Sequence, residues 1–369
     1  MVDLVSQYKR LEKEIDTAME AVIRSGRYIN GPVVREFENA LADFLDVKHV
    51  IGCANGTDAL QIALMALDLN PGDEVIIPAF TYVATAEVIA LLGLKPVMVD
   101  VDSLTFNIDV NELEKAITHK TKAIIPVHLF GQSADMEKIM HIAHRHNLYV
   151  IEDNAQSLGA EYSFSSGQGR KTGAIGHIGC TSFFPSKNLG CFGDGGAMLT
   201  HDSALAEKLR MIANHGQSEK YIHQTVGCNS RLDTLQAAIL LAKLSHLDSF
   251  NKERQRIAHA YDQAFESLKG IITPFRANIS THVFHQYTLK VLPDQRNALQ
   301  KHLSQHGVPS MIYYPLPLYR QKAYSTNYSG QPLEHTEKLC LSVLSLPIHT
   351  EMDDETLEFI IHTVQSFYK

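Results

Sequence analysis

Tryptophan is absent from the 369 residues, and cysteine is scarce. Cys53, Cys180, Cys191, Cys228 and Cys340 are odd in number and form no C-x-x-C pair. A disulfide framework or a zinc site is therefore not expected, and a reducing cytoplasm is the expected setting. A basic surplus is also missing: 33 Lys and Arg face 41 Asp and Glu, for a net charge of −8. General nucleic-acid binding is not expected without that surplus. No apolar run approaches the ~20 residues of a membrane span. The first sixteen residues are amphipathic and charged, without the apolar core of a secretion signal. What remains is an ordinary globular composition, 45% hydrophobic and 20% charged, in a chain long enough for two domains.

Hydrophobic periodicity gives an alternating pattern. Residues 7–25 and Val33 to Leu45 read as amphipathic helices, separated by the break Tyr28-Ile29-Asn30-Gly31-Pro32. Strands are expected at His49–Gly52, Glu74–Ile77, Pro96–Asp100, Ala123–Val127, Leu148–Glu152 and Gly196–Thr200. Helices are expected at Thr57–Leu67, Val83–Leu92 and Met136–His146. Such alternation with Val/Ile-rich strands means an α/β fold, a mostly parallel sheet covered on both faces. After about residue 245 the helices become long and polar, around Leu247–Leu268, Arg296–His306 and Asp354–Phe367, with a strand at Val283–Val291. The expected division is a large domain over 1–245 and a smaller α+β domain over 246–369. Ser163 to Gly173 reads as a loose polar loop whose glycines do not match a dinucleotide fingerprint.

Lys187 lies among small and apolar residues in Thr181-Ser182-Phe183-Phe184-Pro185-Ser186-Lys187-Asn188-Leu189-Gly190, with Gly193-Asp194-Gly195-Gly196 behind it. A desolvated lysine loses its proton readily and becomes a nucleophilic amine. Its natural use is a Schiff base with an aldehyde cofactor. Asp153 ends an apolar strand and supplies a carboxylate. Pyridoxal phosphate chemistry needs both groups, a lysine for the aldehyde and a carboxylate for the ring nitrogen.

Other residues fit the same chemistry with bland alternatives beside them. Gly56 and Thr57 stand between a strand and a helix, a phosphate site or an ordinary N-cap by Thr57 or Asp58. Ser182 offers that phosphate a hydroxyl. Tyr82 follows a strand's carboxyl end, to stack on a flat ring or to sit at the rim. Gln156 reaches the ring hydroxyl or caps a turn. Cys191 reads as a packing residue. His141, His144 and His146 lie on an expected surface helix without a carboxylate at matching spacing, so no metal site is expected.

Six segments occur in a telling order: Gly56-Thr57-Asp58-Ala59-Leu60, Pro78 to Thr85, Glu152 to Gln156, Ser182 to Lys187, Gly193 to Gly196, and Asn229-Ser230-Arg231-Leu232-Asp233. Together they resemble the DegT/StrS-type nucleotide-sugar aminotransferases over nearly the whole chain. Within that family the chain looks most similar to aminotransferases of UDP-2-acetamido-2-deoxy-3-keto-hexuronic acid, which make diacetamido uronic acids for bacterial O-antigens and other surface glycans. The resemblance implies a fold-type-I, aspartate-aminotransferase-like architecture and pyridoxal 5'-phosphate. It implies a UDP-linked keto sugar and L-glutamate as partners, and a homodimer with active sites at the interface. Asn229 and Arg231 would then reach the neighbouring subunit's site. Arg231 is the expected ligand of a sugar carboxylate, its alternative being a salt bridge with Asp233 or another acid. Tyr313 and Tyr314 match a substrate-contacting pair, although His-Tyr is expected there in close relatives. Rival readings are a 4-keto-6-deoxy UDP- or dTDP-sugar substrate, a sugar dehydratase (against which Lys187 argues, histidine being expected), and a non-catalytic regulator.

Overall fold

The computed structural model describes residues 1–325, 328 and 330–369. Helix α1 (Leu4–Ser25) starts where Asp3 accepts the Ser6 N–H at 2.9 Å and stops at Gly26 in the left-handed region. Its buried Leu11 and Ile15 recur at helical spacing. Then follow α2 (Pro32–Leu45), β1 (His49–Cys53), α3 (Gly56–Ala66), β2 (Glu74–Pro78), α4 (Ala84–Leu91) and β3 (Lys95–Val99). Next come α5 (Val110–Lys115), β4 (Thr121–Ile124), α6 (Met136–His146) and β5 (Tyr149–Asp153). A hairpin of β6 (Glu161–Ser163) and β7 (Gly169–Lys171) precedes β8 (Ile178–Ser182), β9 (Gly196–Thr200) and α7 (Ser203–Ala213). A second hairpin, β10 (Gln217–Glu219) with β11 (Ile222–His223), leads to α8 (Thr234–Leu244) and α9 (Leu247–Phe265).

Seven strands form one sheet in the order β1-β9-β8-β5-β4-β2-β3. Only β9 runs against its neighbours, β1 and β8; the other pairs are parallel. Every residue of β2 is buried, because helices cover both faces. Parallel strands place the ends of β2, β5 and β8 on one edge of the sheet, where open α/β sheets bind ligands.

The remaining chain builds a three-stranded antiparallel sheet from β12 (Ile271–Ile272), β13 (Tyr287–Val291) and β14 (Val343–Leu346). Helices α10 (Pro293–Gln305), α11 (Glu334–Ser342) and α12 (Asp354–Phe367) accompany it. Tyr261, Phe265, Tyr287, Leu289, Leu299 and Leu344 meet in its core. Helix α1 packs through Leu11 and Ile15 on Ile239 of α8 and Phe250 of α9, and Arg10 pairs with Glu351 at 2.7 Å. No helix among the described residues is long and apolar enough to cross a membrane.

Several elements differ from the sequence expectation for local reasons. Ser163 to Gly173 is not a loose loop: it holds most of the β6–β7 hairpin, turned at Gly167 with φ +84 and anchored by buried Tyr162. The strand expected from Val283 begins only at Tyr287. Before it, Val283 bonds Gly131 and Phe284 takes φ +48. Strand β4 ends at Ile124, and Pro126 has no N–H to extend it. Helix α3 starts at Gly56, and its cap is Asn55, which accepts the Asp58 N–H at 2.8 Å, rather than Thr57 or Asp58.

Candidate active site

The sheet edge opens into a cavity of about 590 Å³. Gly56, Thr57, Tyr82, Asp153, Gln156, Ser182, Lys187, Tyr313 and Tyr314 all line it. Among the residues singled out from the sequence, Asn229 and Arg231 are the exceptions.

Lys187 sits in a tight turn after β8, its N–H bonded to the Phe184 carbonyl at 2.8 Å. The next residue anchors the turn: buried Asn188 donates to Asn251 on α9 at 2.7 Å and to the Val283 carbonyl at 3.0 Å. Burial pushes the Lys187 ammonium down to about 8, against the opposing pull of Asp153. Cys191 is a buried packing residue directed at the Phe183 and Gly193 carbonyls.

Asp153 projects from the end of β5. Its Oδ2 accepts the Thr85 hydroxyl at 3.0 Å and its Oδ1 accepts the Ala155 N–H at 3.2 Å. Burial raises its proton affinity, and the Ala155 N–H, the Lys187 charge and Thr85 pull the other way. The preceding Glu152 faces the opposite side. It accepts His128 Nε2 at 2.9 Å and the N–H groups of Gly173, Ile175 and Gly176 at 2.6–2.8 Å. The Ala134 N–H occupies His128 Nδ1, which leaves Nε2 as the donor to Glu152. Burial alone would raise the Glu152 carboxyl; His128 and the backbone donors outweigh it and hold it below its usual value. The His128 N–H also bonds the Asp153 carbonyl at 3.1 Å, so this network fixes the strand end that carries Asp153.

One end of the cavity suits an anion. Gly56 and Thr57, which open α3, line it, and helix starts favour negative charge. A Cβ at Gly56 would lie 2.6 Å from the Ser182 Cβ, so only glycine lets these segments meet. Gly196 serves the same approach, since its Cβ would meet Asn55 at 2.4 Å. Ser182 Oγ lines the cavity and accepts the Phe184 N–H at 3.3 Å.

The opposite wall is aromatic. Tyr82 is 56% exposed, so its ring is free to meet a flat partner, and it leans toward Tyr314 at 6.4 Å between centroids. Tyr314 is edge-on to Phe80 at 5.7 Å, and burial raises its phenol well above the ordinary value. Gln156 is oriented on both sides: its Oε1 accepts the Phe130 N–H at 2.8 Å, and its Nε2 donates to Tyr314 at 3.3 Å. Tyr313 is half-buried beside them.

Asn229 and Arg231 line a different depression of about 410 Å³ with Ile29, Ala54, Asp233 and Gln236. Asp194 belongs to both walls. Among the described residues Arg231 forms no ion pair with Asp233 or another acid. His141, His144 and His146 are exposed on α6.

The structure adds residues that sequence reasoning did not assign to the site: Thr81, Thr85, Phe130, Asp194, His285 and Gln286. Thr85 was visible inside a quoted segment, yet nothing local marked its hydroxyl. His285 carried no signal among 19 histidines. It is buried, and burial, then Lys187 and Arg254, lower its proton affinity well below the ordinary value.

The DegT/DnrJ/EryC1/StrS aminotransferase family matches residues 9–365. A Pseudomonas aeruginosa protein named UDP-2-acetamido-2-deoxy-3-oxo-D-glucuronate aminotransferase is 49% identical over 359 residues, 97% of each chain. A Geobacillus stearothermophilus protein named pleiotropic regulatory protein is 46% identical over 372 residues, 100% of this chain and 98% of its own. The solved structure of S. venezuelae DesV in complex with ketimine intermediate aligns with a TM-score of 0.95 at 40% identity, covering 100% of this chain and 98% of that one.

Proposed function

The chain belongs to the DegT/DnrJ/EryC1/StrS aminotransferase family, and on that premise we propose that it moves an amino group from L-glutamate to C3 of a UDP-2-acetamido-2-deoxy-3-keto-hexuronic acid. Its cofactor is pyridoxal 5'-phosphate. The observation that carries the reading is the single cavity joining Lys187, Asp153 and the α3 amides. The sugar assignment is supported by the Pseudomonas aeruginosa relative, 49% identical across 97% of both chains.

The residues present fit that cofactor. Lys187 combines a lowered proton affinity with a place on the cavity wall. The close approach of Gly56 to Ser182 brings the start of α3 and the Ser182 hydroxyl together at the cavity wall. Bound pyridoxal phosphate supplies an aldehyde for amine exchange and a ring that takes up electrons when a carbon-bound proton leaves. The residues lining the cavity would divide the work. Lys187 would hold the aldehyde and, when free, would serve as the general base and acid. Asp153 would hold the proton on the ring nitrogen. The Gly56 and Thr57 amides and the Ser182 hydroxyl would hold the phosphate, and Tyr82 and Gln156 would contact the ring. Tyr313 and Tyr314 would contact the sugar.

The same reading makes the working unit a homodimer, with Asn229 and Arg231 completing the partner subunit's cavity. It divides the chain at residue 245 and places the enzyme in the cytoplasm, serving O-antigen or other surface-glycan synthesis. A binding or regulatory role on the same fold is favoured by the names of relatives, among them that of the Geobacillus stearothermophilus protein. The test is to offer the pyridoxamine-loaded protein a panel of UDP- and dTDP-keto sugars. The 3-keto uronate should restore the yellow form fastest. Restoration by a 4-keto-6-deoxy sugar alone would reassign the substrate, and no exchange with glutamate would favour the regulator.

A further inference from the structure

Thr85 is fully buried in the first turn of α4, and its hydroxyl has two neighbours. It donates to Asp153 Oδ2 at 3.0 Å and lies 3.4 Å from the Thr81 hydroxyl. A hydroxyl owns one hydrogen. With that hydrogen committed to Asp153, Thr81 is the donor of the second contact. The two threonines therefore form a directed chain, from cavity-lining Thr81 through Thr85 to the carboxylate.

Asp153 needs such donors. A carboxylate in a buried site tends to take up a proton and become neutral. The ionisable groups around it come from four separate segments. His128 lies beyond β4, Cys180 on β8, Lys187 in the turn after β8, and Tyr314 in the C-terminal half. Cys180 and Tyr314 are held neutral by burial, and His128 Nε2 is committed to Glu152. Lys187 is the cation facing the carboxylate. The Thr85 hydroxyl and the Ala155 N–H are the groups that donate hydrogen bonds to it.

We propose that Thr85, supported by Thr81, is a positioning residue for the cofactor: its hydroxyl fixes the plane of the Asp153 carboxylate and keeps it ionised against the ring nitrogen. This rests on the pyridoxal phosphate reading above. Replacing the hydroxyl by a methyl in Thr85→Val keeps the shape and removes the donor. The carboxylate should then protonate at higher pH, so binding that needs its charge should fail at higher pH. Thr85→Ser keeps the donor and should keep the wild-type profile.

The measurement is the dissociation constant of pyridoxamine phosphate, which binds without a covalent link, as a function of pH for the three proteins. The expected result is an acid limb moved up by about one pH unit in Thr85→Val, near tenfold weaker binding on the limb, and rescue in Thr85→Ser. The acid limb of kcat/KM for the glutamate half-reaction should move with it. A Thr85→Val limb that overlies the wild type, with tight binding at high pH, overturns the role. A shift shared equally by Thr85→Ser also overturns it, since packing and not the hydroxyl would be responsible. Wild-type protein that binds no pyridoxamine phosphate at any pH overturns the cofactor reading instead.

Discussion

Lys187 and Asp153 face one cavity from two different segments, and burial pushes both toward their neutral forms while the charge of each resists the change in the other. The amine is thereby available near neutral pH without losing its carboxylate partner. Neither property follows from one residue alone.

Cofactor capture by the cofactor-free protein should therefore rise with pH through about 8, the value for Lys187, and not through the ordinary lysine range. The neutral amine is the nucleophile, so the rate climbs as the proton leaves. Removing the Asp153 charge in Asp153→Asn takes away a stabiliser of the ammonium, and the midpoint should move down. Borohydride trapping across pH, with the labelled peptide identified by mass, checks both. Label on a peptide other than the one holding Lys187 would refute the assignment.

Asp153→Asn should also slow the glutamate half-reaction by about a hundredfold or more, near 3 kcal/mol of lost stabilisation from a preorganised charge. Single-turnover absorbance measurements give the rate. Turnover close to wild type would remove Asp153 from the mechanism.

Mixing Lys187→Ala with Arg231→Ala chains tests the shared site. Each homodimer should be inactive. A hybrid dimer has one site with both residues intact, so partial activity should return on subunit exchange. Proven exchange without recovery would count against a shared site.

Arg231→Lys should weaken a uronate substrate by roughly 1.5–3 kcal/mol, because the planar fork that matches a carboxylate is lost. An analogue with a C6 alcohol should be nearly unaffected. The ratio of kcat/KM for the two sugars in both proteins decides the matter. An unchanged ratio means Arg231 does not read the carboxylate.

Glu152→Ala should destabilise the fold by about 3–5 kcal/mol, since it strands His128 and three backbone donors in the interior. The Glu152 carboxyl is held below its usual value in the folded protein. Its contribution is therefore complete above the unfolded-state value of about 4.3 and fades as pH falls through the folded value. Urea unfolding of wild type and Glu152→Gln should show a gap at pH 7 that narrows in acid. A gap that widens in acid would contradict this sign.

The alternation of apolar strands and helices and the turn residues are local properties, and they determined the parallel α/β sheet and most of its helices. The Lys187 and Asp153 segments were likewise legible, because an apolar run ending in a carboxylate and a lysine among glycines are odd enough to read directly. Tertiary structure decided what lay between distant segments. Asn188 ties the lysine turn to Val283, across 95 residues of chain, and this brings His285 to the cavity. Thr85 meets Asp153 across 68 residues, and no periodicity announces a buried hydroxyl's partner. The β6–β7 hairpin and the late start of β13 were misread for the same reason. Short strands are fixed by what they pack against, here Tyr162 under one and the Phe130–Gly131 turn beside the other, and those contacts exist only after the chain has folded.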